Sequence, residues 1–545
     1  MQRPDIGNPV ALSTHRQPAW VWVLLAVLCA IRLPSLAQPM GLDQGVYSYV
    51  GERVLAGDLP YRDVWDHKPS GLHVAYALMW YLWPDEAVVP LADLLLAAAV
   101  AILLLWLAPH FARSRLGGPL AAALFLLLGN PALARFGGVR VRSQGETFIA
   151  ALVTASIYVA LQTTRSSRRP SSTERHARLI LAGALVGGAA LMKYQAAIFV
   201  VLPWAASVWI EAHAGPVRSW IRSALMSAVT VGIGLVLPLA AVIAVYAAEG
   251  ALGSLWDATV LFNLSYAGET YAGPWSLLRY LFSFPVRQAR VDGLWLVGGA
   301  AALALVLQSF RRPRLLLLIG WIAVACLSIA INGSRGLPQY FIQAAPALAL
   351  AAGVAGADVM ERRSLWLRLG LLVVVVWALT RVLSLPQAMD AMSRDTARLL
   401  GRLDKAAYLA AYAGRPGDKY SPPDMYDLAA LLRARTAPED TVYVFGFSAA
   451  AYVYSERRSA SRLFFIAPVV AEVTRSLPGY GPDALLADLE ANRPAVVALQ
   501  RDDAGSGPLD SRGWFLSQRS LAEWLRRHYR VAESLRRFEV WERRD

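Results

Sequence analysis

The sequence predicts an α-helical protein that crosses a membrane many times and ends in a smaller α/β domain outside the membrane. Three observations lead to this fold class. Of the 545 residues, 56% are hydrophobic and only 17% are charged, against about 25% charged residues in soluble domains. Apolar runs of spanning length recur as far as about residue 385. Beyond that point the chain is more polar and mixes strand-like with helix-like patterns.

The apolar runs define a predicted membrane domain over residues 1–385. A span needs about 20 mostly apolar residues, and several of these runs are shorter than that. The eleven predicted spans are 19–37, 87–108, 117–134, 146–162, 178–192, 195–212, 222–246, 291–309, 315–332, 338–356 and 366–385.

The distribution of basic residues predicts the orientation of these spans, because cytoplasmic loops carry an excess of Lys and Arg. With a cytoplasmic N-terminus, the cytoplasmic side holds 17 Arg, whereas the outside loops hold 11 Lys and Arg over far more residues. The first outside loop, 38–86, has seven Asp or Glu against three Lys or Arg. The net charge of +14 is therefore mostly cytoplasmic loop charge next to membrane lipid. Nucleic acid is not an expected partner.

The segment 386–545 is predicted to be an extracytoplasmic α/β domain, periplasmic or extracellular. Alternating or continuous apolar patterns distinguish its strands from its amphipathic helices. The predicted strands are Thr441–Phe445, Pro494–Leu499 and Phe538–Glu542, and the predicted helices are Asp395–Leu403, Asp483–Glu490 and Leu521–Tyr529.

The first outside loop carries the most distinctive sequence of the chain. In residues 41–71, Val46, Tyr49 and Val50 share one helical face, which predicts a helix lying on the membrane surface. Asp43 stands at the start of this helix, directly after the first span. A Lys68-Pro motif then leads into an apolar stretch, 72–84, that is too short to span comfortably and suits a second interfacial helix.

An acidic residue after the first span, a surface helix, a Lys-Pro motif and a second surface helix resemble the GT-C glycosyltransferases. The pattern is similar to that of the protein O-mannosyltransferase and lipid A aminoarabinose-transferase group and its bacterial relatives. The resemblance implies a polyprenyl-phosphate-linked sugar as donor, and it implies transfer to an extracytoplasmic acceptor such as an envelope glycolipid, polysaccharide or protein. It also implies an inner-membrane location. Some relatives use a divalent metal, although no metal-ligand spacing is found in this sequence.

The resemblance implies roles for particular residues. Asp43 matches the catalytic acid of the first loop, and Lys68 matches the lysine near the lipid phosphate. His67 stands where a relative has Glu, so its place in the substrate pocket stays open. Glu146 matches a second acid, and Gln339-Tyr340 matches a His-Tyr pair in which Gln here replaces the His. Acid–base or metal chemistry at position 339 is therefore not expected.

Four further cations are candidates for the donor phosphate or the substrate pocket, and three of them have a plainer alternative. Arg140 and Arg142 precede Glu146 and can contact phosphate or lipid headgroups. Lys193 either serves the donor or extends to the interface, and Arg335 is a candidate phosphate ligand. Arg32, within the first span, is expected to extend outward to the membrane surface.

The two acids also have structural alternatives. Asp43 can be a helix N-cap, and Ser143-x-x-Glu146 has the spacing of a capping box. At the level of function, the alternatives to an enzyme are a polyprenyl-linked sugar transporter or flippase, and an inactive binding member of the same fold. A transporter usually shows repeated halves and ionisable groups at the midplane. The sequence shows no repeat.

Overall fold

The computed structural model describes residues 17–133, 138–162, 171–212, 217–268, 270–333, 335–361, 364–475, 477–505 and 507–544. Within these described residues, sixteen α-helices precede residue 383. They are α1 (Ala19–Ala30), α2 (Leu42–Leu55), α3 (Ser70–Leu82), α4 (Val88–Leu107), α5 (Gly117–Leu128), α6 (Gly145–Leu161), α7 (Ser172–Ala190), α8 (Val201–Ala212), α9 (Val217–Ala248), α10 (Leu252–Trp256), α11 (Phe262–Gly268), α12 (Pro274–Ala289), α13 (Gly293–Ser309), α14 (Leu315–Ile331), α15 (Ala345–Met360) and α16 (Leu365–Val382).

The remaining nine helices and all five strands follow. The helices are α17 (Leu385–Leu399), α18 (Lys405–Ala410), α19 (Pro422–Arg435), α20 (Ala450–Ser455), α21 (Ala467–Val470), α22 (Glu472–Arg475), α23 (Gly481–Asn492), α24 (Ser511–Ser517) and α25 (Arg519–His528). The strands are β1 (Thr441–Phe445), β2 (Arg458–Ser459), β3 (Val496–Gln500), β4 (Tyr529–Ser534) and β5 (Phe538–Arg543).

Each predicted span overlaps a helix, but the count of eleven membrane crossings is not confirmed. Among the described residues, four helices are long and apolar enough to cross a membrane, or up to six if each of two bent pairs is one span. The four are Ala19–Ala37, Val88–His110, Ile221–Ala248 and Pro338–Met360. Several other predicted spans are apolar helices of only 10–17 residues, which is short for the hydrocarbon core of a bilayer.

Helices α7 and α9 cross at glycines. A Cβ atom on Gly183 would lie 2.1 Å from the carbonyl oxygen of Val231, and one on Gly234 would lie 2.1 Å from that of Ile180. Only the absence of a side chain allows the two backbones to approach this closely, as is common where helices pack in membranes.

The C-terminal strands form one mixed sheet with the order β2-β1-β3-β5-β4. Strand β1 pairs in parallel with β2 and β3, whereas β5 pairs antiparallel with both β3 and β4. Every residue of β3 is buried, as expected for a central strand that is covered on both faces. The predicted α/β character of this region is confirmed. The predicted helix Leu521–Tyr529 ends one residue earlier, since Tyr529 begins β4.

The first outside loop lies between the helical bundle and the C-terminal region. Both of its predicted helices are present, as α2 and α3. The ring of Tyr49 in α2 stacks on that of Tyr452 in α20, with centroids 4.8 Å apart. A Cβ atom on Gly45 would come within 2.8 Å of Ala450. Helix α2 is thus packed directly against the C-terminal region and is covered more completely than a helix with a single buried face.

Candidate active site

Helix α2 holds Asp43 in its first turn. The N-cap is Gly41, and no side chain caps the helix, so the alternative in which Asp43 serves only as the cap is wrong. The carboxylate is half-buried. Burial raises the pKa of Asp43, and the positive charges of Lys68 and Lys193 counteract part of that rise. A carboxylate of this kind binds a proton more readily than an aspartate in water.

Gln339 approaches Asp43 from the segment Pro338–Ala344. Its amide nitrogen donates to Oδ2 of Asp43 over 3.4 Å, which is a long hydrogen bond. The next residue, Tyr340, is buried, and the ammonium nitrogen of Lys193 lies 4.5 Å from its ring centroid. This is within the range of a cation–π interaction. The structure therefore brings both predicted pocket residues to the site.

Lys193 and Glu146 form a buried ion pair. The ammonium nitrogen of Lys193 lies 2.5 Å from Oε1 of Glu146, and their side chains are 8% and 0% exposed. Lys193 therefore does not extend to the membrane interface. The capping-box alternative for Glu146 is also wrong, because the N-cap of α6 is Gln144 and the hydroxyl of Ser143 donates to the carbonyl of Val89 instead.

Lys68 contacts the residue that precedes it. Its ammonium nitrogen lies 2.5 Å from Nε2 of His67, and Nδ1 of His67 lies 3.2 Å from Oδ1 of Asp66. Burial and the charge of Lys68 lower the pKa of His67 to about 4. The imidazole is therefore neutral at physiological pH. With its proton on Nδ1 toward Asp66, it accepts a hydrogen bond from Lys68 through Nε2.

Asp66 contacts both His67 and His73. Its Oδ2 lies 3.0 Å from Nε2 of His73 in α3, and its Oδ1 accepts from the backbone N–H of His67 at 2.7 Å. Burial alone would raise the pKa of Asp66, but the hydrogen bonds from the two histidines hold it well below the ordinary value. Asp66 therefore stays ionised and fixes the segment that carries Lys68.

Arg142 is held in a separate buried network. One of its terminal nitrogens lies 3.5 Å from Asp93, and its Nε donates to Gln38 at 3.2 Å. Arg32 also pairs with Asp93, at 2.7 Å, and is 3% exposed. Arg32 therefore does not extend outward as expected from the sequence. The network connects with α2, because Gln44 donates to the carbonyl of Arg142 at 2.8 Å.

Two further candidate cations are Arg335 and Arg140. Arg335 is exposed, four residues before Gln339, and its role as a phosphate ligand stays a prediction. The backbone of Arg140 belongs to a short helical turn, Gly138–Val141, but its side chain is outside the described part of the structure.

Sequence reasoning missed Asp66, His73 and Asp93. The signal for Asp93 was readable, because an acid within the apolar run of α4 is costly and usually has a partner. Asp66 and His73 gave a weaker signal. They are seven residues apart, and only the turn of the chain into α3 brings their side chains into contact.

An apolar cavity of about 140 Å³ lies next to the site. Its lining includes Val141, Thr147 and Pro338, which are the direct chain neighbours of Arg142, Glu146 and Gln339. Most of the remaining lining is aliphatic or aromatic and comes from α4, α5, α13 and the segment before α15.

Comparison of the whole structure with solved structures shows which fold this is. ArnT from Cupriavidus metallidurans bound to undecaprenyl phosphate superposes with a TM-score of 0.58 at 18% identity, over 96% of this chain and 97% of that one. The oligosaccharyltransferase of Archaeoglobus fulgidus, in its apo form, gives a TM-score of 0.51 at 12% identity, over 89% of this chain and 70% of that one. No protein-family model and no curated protein sequence matches the chain.

The chain has the GT-C fold. The fold predicted from the first outside loop is thereby confirmed, and the apolar helices of this GT-C chain make it a membrane protein. Because the alignment with ArnT covers nearly all of both chains, the C-terminal region is part of the shared GT-C architecture and not an unrelated appendage.

The residues around Asp43 in this GT-C chain do not fit a divalent metal. The described residues contain no group of three or more His, Cys, Asp or Glu placed to hold one. The neighbouring imidazole nitrogen, Nε2 of His67, faces the ammonium of Lys68 at 2.5 Å. A metal ion there would replace that contact and meet the positive charge of Lys68.

Proposed function

We propose that this chain is an integral-membrane glycosyltransferase that moves a sugar from a polyprenyl-phosphate donor to an extracytoplasmic acceptor, with Asp43 as the general base. One observation carries the proposal: on a GT-C fold, the Asp43 carboxylate in the first turn of α2 has a raised pKa and lies within the electrostatic influence of Lys68 and Lys193. The structures of ArnT with undecaprenyl phosphate and of the oligosaccharyltransferase with a tethered acceptor peptide support this reading of the fold.

The proposed reaction is a single displacement with inversion. Asp43 takes the proton of the acceptor hydroxyl, and the acceptor oxygen forms a bond to the anomeric carbon of the sugar. The bond from that carbon to the phosphate oxygen breaks, and its electron pair leaves with the phosphate. Lys68, held by His67, stabilises the phosphate dianion as its charge develops.

The other candidate residues receive different roles in this proposal. Glu146 is fully buried and paired, so we assign it the task of holding Lys193 near the site and not that of a second acid. Arg142 is occupied by Asp93 and Gln38 and supports the loop before α6. Arg335 remains the proposed outer ligand of the donor phosphate.

The membrane arrangement is also part of the proposal. We place the membrane domain at 1–385 in the inner membrane, with a cytoplasmic N-terminus, and the domain 386–545 on the extracytoplasmic side together with Asp43. The apolar cavity beside the site would take the first isoprene units of the donor, because its lining offers mainly aliphatic and aromatic side chains.

The test is transfer or hydrolysis of radiolabelled polyprenyl-phosphate sugars by the purified chain in detergent. Wild type should turn over at least one donor, and Asp43→Asn should bind the same donor without turnover. Asp390→Asn is the matched control, since Asp390 is an exposed acid on α17 whose partner is Arg394. Full activity of Asp43→Asn would refute the assignment of Asp43 as the general base. Movement of donor lipid across liposomes without any product would instead favour a transporter.

A further inference from the structure

A second cleft lies between the first outside loop and the C-terminal sheet. Its volume is about 520 Å³, within the usual range for ligand sites. It is lined by the end of α2, the segment after it, the edge of the sheet at β2, and α23. Its charged lining residues are Arg53, Arg458, Arg462, Asp58, Asp63 and Asp488.

The lining is polar and its charges balance, with three arginines against three aspartates. A lipid tail would find a mainly polar surface in this cleft, and a phosphate or another anion would meet as many negative as positive groups. Paired donors and acceptors of this kind suit a neutral ligand that carries many hydroxyl groups, because each hydroxyl both donates and accepts. A neutral carbohydrate is such a ligand.

Several of the lining side chains already contact one another before any ligand binds. Arg53 donates to Asp58 at 2.7 Å, and Arg458 lies 3.6 Å from the same carboxylate. The hydroxyl of Ser461, also in the lining, donates to Asp488 at 2.6 Å. Such prearranged groups lose little conformational freedom when a ligand binds.

A peptide is a poorer fit than a carbohydrate. Peptides often add a strand to an open sheet edge, and β2 is the edge strand on this side of the sheet. The backbone N–H of Ser459 on β2 already donates to the hydroxyl of Tyr49, at 2.8 Å. Helix α2 therefore occupies the edge that a peptide would need.

We propose that this cleft is a second binding site, which holds a neutral carbohydrate chain of the acceptor away from the reacting end. The inference rests on the proposed function, and it narrows the acceptor to a glycan or a glycan-bearing molecule. Arg53 follows Asp43 by ten residues in the same helix, which places the cleft about 15 Å along α2 from the base. Only an acceptor with several sugar units reaches both places.

The experiment measures retention of the purified full-length chain, in detergent, on an immobilised array of neutral oligosaccharides, anionic oligosaccharides and peptides. Wild type should bind at least one neutral oligosaccharide, and Arg458→Ala should weaken that binding about tenfold or more. Arg458 is 57% exposed and its ion pair is long, so this change should leave the fold intact. Asp488→Asn provides a second cleft variant.

The matched control is Arg435→Ala, an exposed arginine of the same region that pairs with Glu533 and Glu542 away from the cleft. It should bind like wild type, as should Asp43→Asn. No retained neutral oligosaccharide, retention of anionic sugars or peptides alone, or equal loss in Arg458→Ala and Arg435→Ala would overturn the inference. If glycan binding depends on Arg458 but Asp43→Asn still transfers sugar, the cleft is supported as a binding site and the role of Asp43 as the base is refuted.

Discussion

Lys193 and Glu146, 47 residues apart in the sequence, form an ion pair of 2.5 Å from which water is almost completely excluded. Removing one partner of such a pair leaves an uncompensated charge in the interior, which typically costs about 3–5 kcal/mol. We expect Lys193→Met to lower the free energy of unfolding by that amount, and the double variant with Glu146→Gln to recover much of it. Thermal unfolding in detergent measures both.

The control for this pair is Lys405→Met. Lys405 is 51% exposed and lies 3.8 Å from Glu86, and exposed pairs of this kind contribute about 0–1 kcal/mol. The melting temperature of Lys405→Met should stay close to that of wild type. The free energies of unfolding lost in the single variants Lys193→Met and Glu146→Gln are compared with the loss in the double variant. If the two single losses add up to the loss in the double variant, the two residues do not stabilise each other.

The pH dependence of transfer should report Asp43. A base must be deprotonated to work, so the acid limb of kcat/KM should have its midpoint above the ordinary aspartate pKa of about 3.9. Lys68→Met removes a positive charge that stabilises the carboxylate, so the pKa of Asp43 rises. The limb should then move to higher pH. A shift to lower pH would contradict this electrostatic arrangement.

His67 should act through Lys68 and should not titrate in the working range. Its pKa of about 4 predicts no inflection near pH 6.5 in the wild-type rate profile. His67→Leu removes the acceptor of the Lys68 hydrogen bond and should raise the donor KM about tenfold, since hydrogen bonds to charged groups contribute about 1.5–3 kcal/mol. His67→Gln keeps an acceptor and should recover part of the loss. An inflection near pH 6.5 that disappears in both variants would contradict the assignment.

Glu52 should make stability depend on pH. Burial and the nearby Glu456 raise its pKa to about 7, so the fold favours its protonated form. The fold therefore loses stability as pH rises from about 4.5 toward 7, and the loss is constant above that. Glu52→Gln should raise the melting temperature at pH 8 and leave it unchanged at pH 4. An equal gain at both values would point to packing and not to charge.

The helices were largely predictable because long apolar runs have few alternatives to a buried or lipid-facing helix. Strands β1, β3 and β5 were predicted for a similar reason, since their residues are mostly buried. Strand β2 has two residues, too few to form a pattern. Strand β4 is an edge strand with polar residues on most positions, so no alternation marks it.

The site was predictable where local motifs define it and not where the tertiary fold does. Asp43 and Lys68 stand in a recognisable segment, and the structure brings them together with Lys193. The partner of Arg32 is 61 residues away, in α4, and no local pattern connects the two. The capping-box prediction from the Ser143-x-x-Glu146 spacing was wrong because Ser143 adopts a left-handed backbone, with φ of 44°. Its hydroxyl donates to the carbonyl of Val89 in α4.

The contact between Gly45 and Ala450 bears on how Asp43 would act in the proposed reaction. Gly45 follows Asp43 by two residues, and even a methyl group there would collide with α20. Helix α2 therefore cannot move closer to α20 at this point. In the proposed reaction, the donor and the acceptor would come to Asp43, which this packing holds in place.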